Sequence, residues 1–246
     1  MILFADILKK YPVVAAQSTR LGGFSSGPYN SLNLGISTPD DREMVMKNRE
    51  LFFGSLGIKT EQLAFTRQIH SANIIHVEAP GGYNESDALI TNKKNIFLTV
   101  TAADCTPVLI YDKKNNACAA IHAGWRGTAS KIVALTLEKM QTTFQTQGKD
   151  CIAFIGACIS DKHFEVGEEV AKHFDEAHKY FNPEINKFFV DLKRANQSQL
   201  IQFGVPESQI EVSEFCTVEH NERFFSWRKE KALTGRMMAV IGMPEV

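Results

Sequence analysis

The run Ala103-Asp104-Cys105-Thr-Pro107 leads into Val108-Leu-Ile-Tyr111, a polar break Asp112-Lys-Lys-Asn-Asn116, a second apolar run Ala117-Cys-Ala-Ala-Ile121, and then His122-Ala-Gly124-Trp-Arg126-Gly-Thr128. Two short apolar runs separated by a tight polar break have the pattern of a β-hairpin. Pairing the runs brings their outer ends together, so Cys105 should stand close to His122. A thiolate beside an imidazole is either part of a metal site or a nucleophile–base pair, and these residues leave both readings open.

Working outward, Asp87–Thr91 and Ile96–Thr101 read as strands, the second delivering Asp104 and Cys105 to the hairpin. Leu63–Ile69 alternates imperfectly as a strand ending in Gln68-Ile-His70, and Asn73–Val77 reads as another. Downstream, Gly124–Thr128 opens a helix with Thr128 as its cap and Val133, Leu137, Met140 and Phe144 at helical spacing. A helix start behind Arg126 suits an anion. Cys151–Gly156 reads as a buried strand, residues 168–177 as a helix, and Asp191 as the cap of a helix ending near Gly204. Near the start, Pro39-Asp-Asp41 opens a helix that Gly57 ends. The glycine-rich loop before it, flanked by Arg20 and Asn33, could cover a ligand, with Arg20 as an anion contact. Strands crowd between 63 and 156 with helices inserted irregularly. This predicts an α+β fold with a mixed sheet, in a single domain spanning 1–246.

Twenty-seven basic and 28 acidic residues give a net charge of −1, without the basic block that nucleic acid or a membrane surface would need. No apolar run is long enough to span a bilayer, and the N-terminal residues do not read as a signal peptide. Five cysteines without a disulfide framework fit reduced thiols and a cytoplasmic location. Cys158 and Cys216 read as small buried residues rather than ligands. His70, Cys105 and His122 are ligand types at expected strand ends. Their wide spacing suits a catalytic zinc with three protein ligands and an open position, rather than a structural one. Spacing alone leaves their convergence open.

Gln68-Ile-His70, Ala-Asp104-Cys105 and, above all, Ile-His122-Ala-Gly-Trp-Arg126-Gly resemble the YfiH-type family of bacterial proteins. That family was formerly described as multicopper polyphenol oxidases or laccase-like proteins. It is now described as purine nucleoside phosphorylases with adenosine deaminase side activity. The likeness extends to Thr19-Arg20-Leu-Gly-Gly-Phe-Ser, Ser31-Leu-Asn33-Leu-Gly35, Phe164-Glu165-Val-Gly167, Cys216-Thr217, Phe225-Ser-Trp-Arg228 and Gly235-Arg236, and so covers nearly the whole chain. Ala157 departs from the proline often found there. The resemblance implies one zinc on His70, Cys105 and His122; copper, which outranks zinc in intrinsic affinity, could substitute at the same site. It also implies a mixed β-sandwich core flanked by helices, a homodimer, and purine nucleosides (adenosine, inosine, guanosine, methylthioadenosine) and phosphate as substrates.

The oxidase label meets an obstacle in the residues. A trinuclear copper centre draws on paired His-x-His runs, and this chain has seven histidines and no such pair. For deamination, Asp104 is the candidate proton shuttle. For phosphorolysis, Arg126, Arg20 and Arg228 are candidate phosphate contacts, Asn33 and Gln68 further substrate contacts, and Glu165 an acid or base. Three rivals stand beside this reading. One is a Cys–His hydrolase with Cys105 as nucleophile, His122 as base and Asp104 as orienter. The second is an enzyme editing peptidoglycan precursors, and the third a non-catalytic metal-binding scaffold.

Overall fold

The computed structural model describes residues 2–231 and 233–245. The first half forms β1 (Ile2–Phe4), β2 (Val14–Ser18), α1 (Arg42–Gly54), β3 (Leu63–Thr66), β4 (Ile74–His76), β5 (Gly81–Tyr83), β6 (Ala88–Thr91) and β7 (Phe97–Ala102). The hairpin β8 (Thr106–Asp112) and β9 (Ala117–Ala123) follows, with α2 (Trp125–Ala129) and α3 (Ile132–Phe144) behind it. The rest comprises β10 (Cys151–Ile155), β11 (Glu165–Val166), α4 (Glu168–Ala171), β12 (Lys179–Asn182), β13 (Lys187–Val190), α5 (Leu192–Gln202), β14 (Ile210–Val212) and β15 (Met237–Gly242).

Two six-stranded sheets carry the fold, in the orders β1-β2-β15-β7-β3-β5 and β14-β10-β8-β9-β6-β4, with a small third sheet β11-β13-β12. Both large sheets are mixed: β3 runs parallel to β5 and β7, β4 to β6 and β10 to β14, while the other pairings are antiparallel. The chain is therefore α+β, as its strand distribution predicts. The residues explain the layering. Along β8, Leu109 and Tyr111 point into the core between the sheets, whereas Val108 and Ile110 point to the far side, under α3 and α5. A strand buried on both faces reads as an unbroken apolar run, which is why Val108–Tyr111 shows no alternation. On the outer face of the first sheet, Phe52 and Phe53 of α1 pack with Leu34, Phe97, Met238 and Val240. The result is a helix-flanked sandwich.

The hairpin pairs in the expected register, from Asp112↔Ala117 at the turn to Pro107↔His122 and Thr106↔Ala123 at the open end. The Asp112 carboxylate closes the turn by accepting N–H bonds from Lys114 and Asn115, a side chain imitating a backbone turn. Asp41 caps α1 and Asp191 caps α5, each accepting a backbone N–H of the first turn.

Three expectations need correction. The strand from Leu63 stops at Thr66 and His70 lies in a loop at φ 58°, because side chains replace the ladder there, as shown below. The helix behind Gly124 is broken in two: Gly124, not Thr128, stands at the N-cap of α2, and Lys131 at φ 60° separates α2 from α3. The helix expected over 168–177 is a single turn, α4. It gives way to the hairpin β12–β13, where Phe181 meets Phe188 and Tyr180 stacks on Phe189.

Candidate metal centre

Three crossings from the first large sheet to the second meet at one edge of the sandwich. The β3–β4 crossing carries His70, the β5–β6 crossing carries Asp87, and the β7–β8 crossing carries Asp104 and Cys105. His122, next to the end of β9, lies beside them. Ligand atoms of His70, Cys105 and His122 all lie within 4.8 Å of one another. The two imidazoles meet edge to face at 4.9 Å. His122 is buried, Cys105 half-buried and His70 exposed, so the cluster opens to one side.

Asp87 organises this cluster and is fully buried. Its Oδ1 accepts from His122 Nδ1 at 2.8 Å and from the His70 N–H at 3.0 Å. Its Oδ2 accepts from the Ser71 N–H at 2.7 Å and the Ser71 hydroxyl at 2.8 Å. One carboxylate thus fixes the His122 ring, leaving Nε2 to act as ligand, and folds the loop that presents His70. Such an outer carboxylate sets the tautomer of a metal-binding histidine. Sequence reading placed Asp87 at a strand start and saw no role for it; its partner lies 35 residues away, across a strand pairing.

Electrostatics follow from burial and charge. Burial raises the Asp87 carboxyl, but the His122 and Ser71 hydrogen bonds prevail and hold it at about 2. Burial also works against charge on Cys105 and His122. The mutual attraction of thiolate and imidazolium overrides it, bringing Cys105 down to about 6 and His122 up to about 9. Cys118 and Cys158, buried without such a partner, are pushed up to about 12.

The donor set fits a zinc-like ion: one thiolate and two imidazoles, with an open side for a fourth ligand. Gly124 adds a geometric reason. A Cβ there would lie 2.9 Å from His70 Nδ1 and 3.1 Å from Cys105 Sγ, so any side chain would fill the space between the ligands.

The cluster forms the floor of a cavity of about 480 Å³. Gln68, Asp104, Arg126 and Arg228 line it, as do three groups that sequence reading did not single out: Trp125, Trp227 and Arg236. Each lining guanidinium lies over a ring, Arg126 over Trp125 at 4.3 Å, Arg236 over Trp227 at 4.9 Å and Arg228 over Phe164 at 5.5 Å. Among the described residues none of the three is in a salt bridge. The cavity is therefore cationic and aromatic. Gln68 is engaged with the Thr101 backbone and hydroxyl, which fastens the His70 loop to β7.

Asp104 sits at φ 82°, a left-handed backbone. Its carboxylate accepts from the Thr217 hydroxyl and the Arg228 N–H. Burial raises it above the usual carboxylate range, against these hydrogen bonds and one from Ser226. The orienter of His122 is therefore Asp87, not Asp104. Arg20, Asn33 and Glu165 do not line the cavity. Arg20 is paired with Glu230 at 3.0 Å and lies over Phe225. Asn33 is buried, binding Thr38 and Asp40 and accepting from the Arg236 N–H. Glu165 is exposed, and its carbonyl accepts from the Arg228 side chain.

A family model described as multi-copper polyphenol oxidoreductase laccase matches residues 14–244. A Bacteroides thetaiotaomicron protein named purine nucleoside phosphorylase is 39% identical over 241 residues, covering 91% of this chain and 89% of that one. The crystal structure of a Bacillus licheniformis hypothetical protein, YfiH, superposes with a TM-score of 0.92 at 29% identity, covering 98% of this chain and 96% of that chain. YlmD from Geobacillus stearothermophilus gives a TM-score of 0.91 at 32% identity, covering 95% and 93%.

Proposed function

This chain belongs to the laccase-like family that includes the YfiH and YlmD proteins, and on that footing we propose that it is a zinc-dependent purine nucleoside phosphorylase. The proposed substrates are adenosine, inosine, guanosine and methylthioadenosine. Phosphate cleaves them to the free base and ribose 1-phosphate or methylthioribose 1-phosphate, with adenosine deamination as a side activity. Zinc rather than copper at the centre, a homodimeric assembly and a cytoplasmic location belong to the same proposal.

The observation that carries this reading is an open His–Cys–His centre at the floor of a cavity lined by aromatic rings and by guanidinium groups outside the salt bridges of the described residues. A purine offers a flat π-face, which Trp125, Phe164 or Trp227 can stack against. Phosphate needs planar cationic donors, which Arg126, Arg228 and Arg236 supply. In phosphorolysis a phosphate oxygen forms a bond to ribose C1′ as the bond from C1′ to the purine nitrogen breaks. The base leaves with the electron pair and takes up a proton. The guanidinium groups orient the phosphate, the rings hold the base, and Asp104, the carboxyl among the cavity-lining residues, is the candidate to exchange the proton. Zinc, when bound, supplies Lewis acidity.

The older oxidase label finds no support in the arrangement. Among the described residues no His/Cys/acid cluster contains more than two histidines. One specific observation favours a second reading. Cys105, His122 and Asp87 form a thiolate–imidazolium–carboxylate line, the arrangement a Cys–His hydrolase needs.

The test is product identification from adenosine with and without phosphate, on zinc-loaded and chelator-stripped protein. Adenine and ribose 1-phosphate, formed only with phosphate and metal, support the proposal, and inosine marks deamination. Turnover that survives complete metal removal would shift the assignment to the hydrolase.

A further inference from the structure

We propose a second metal site, separate from the cavity, formed by His163, Cys216 and Glu219, for a divalent ion of zinc-like character. Their ligand atoms all lie within 4.8 Å of one another. His163 Nε2 stands 3.1 Å from Glu219 Oε1. Cys216 is buried, and its sulfur accepts the Ser160 N–H at 3.3 Å. Thiolate sulfur, imidazole nitrogen and carboxylate oxygen together favour zinc over the hard cations, which prefer oxygen alone. The backbone N–H on sulfur is the kind of outer contact that holds a metal thiolate in place. Two side chains reach outward to solvent, so an ion can enter and keep a water as its fourth ligand.

The site's location gives it a purpose. His163 sits in the loop after β10, and Cys216 and Glu219 in the turn after β14. Both segments grip Asp104. The Ile159 N–H donates to the Asp104 carbonyl, the Thr217 hydroxyl donates to its carboxylate, and the Thr217 N–H donates to the Cys158 carbonyl. The Arg228 guanidinium, in turn, donates to the carbonyls of His163 and Glu165. An ion on His163, Cys216 and Glu219 would clamp the cavity wall that carries Phe164 and Arg228. The site is thus a structural clamp one layer behind the cavity, and the ion touches no substrate.

Zinc titration of chelator-stripped protein, with stoichiometry read by elemental analysis, tests this. Two equivalents per chain are expected for the wild type, one each for Cys105→Ser and Cys216→Ser, and none for the double variant. In the Cys105→Ser background, cobalt should still give a sulfur-to-metal charge-transfer band, and adding Cys216→Ser should abolish it. Should Cys216→Ser misfold, His163→Ala and Glu219→Gln, both on solvent-facing side chains, should each lose the same equivalent. A wild type whose single equivalent is lost in Cys105→Ser, or a Cys216→Ser variant that binds as much zinc as the wild type, overturns the site. None of these readings depends on nucleoside turnover, so they stand apart from the fate of the proposed activity.

Discussion

Asp87 is the residue on which the centre turns. It fixes the His122 ring and gathers the N–H groups of the His70 loop, and it carries charge without solvent because five hydrogen-bond donors surround it. Asp87→Asn keeps the shape but can donate where a lone pair is needed. We expect metal affinity to fall roughly 10- to 100-fold, measured by competition with a chromophoric chelator; unchanged affinity would remove Asp87 from the centre. Cys105 offers a second check at this scale. Its thiol is held near 6, so above that pH in stripped protein the reactive thiolate predominates, and below it the protonated form. Cys118 and Cys158 stay protonated until about 12. At pH 7, iodoacetamide should label Cys105 first by a wide margin, with the rate falling as pH drops through about 6; even labelling across the thiols would contradict the proposed pair.

The hairpin β8–β9 is the element that was readable from the chain, because its signals are local. Apolar runs buried on both faces and an aspartate that closes its own turn are written in consecutive residues. The helix behind it was less readable. Lys131 carries a left-handed backbone that its side chain does not advertise, and α2 and α3 are separated there. A left-handed non-glycine residue costs on the order of 1–2 kcal/mol, and glycine there loses part of that gain to chain entropy. Lys131→Gly should therefore stabilise the fold by roughly 0.5–1 kcal/mol in urea unfolding, because the side chain is exposed. A destabilised variant would mean the junction is held by something other than its backbone. The β12–β13 hairpin was missed because its ring pairs form across the hairpin rather than along the chain.

At the scale of the whole molecule, an ion at the proposed centre would tie the two sheets together. His70 and Cys105 ride on separate sheet-to-sheet crossings, and His122 ends a strand of the second sheet. A bound ion therefore links segments that only the folded chain brings together, and by linkage it stabilises that state. With free metal about 100 times above Kd the gain is about 2.7 kcal/mol. For a chain of this size, stripping the metal should lower Tm by about 5–10 °C, and readdition should restore it. A Tm indifferent to metal would argue against a preformed site. The sequence by itself determined the α+β class, the hairpin, the helices capped by Asp41 and Asp191 and the ligand types at His70, Cys105 and His122, since each rests on periodicity, turn chemistry or donor chemistry carried by neighbouring residues. Only the tertiary structure decided that the three ligands converge, that Asp87 rather than Asp104 orients His122, and that Arg236 with the tryptophans faces the cavity while Arg20 and Asn33 do not. Those outcomes depend on which crossings meet at the sandwich edge, a matter of long-range strand pairing that no short stretch of the chain encodes.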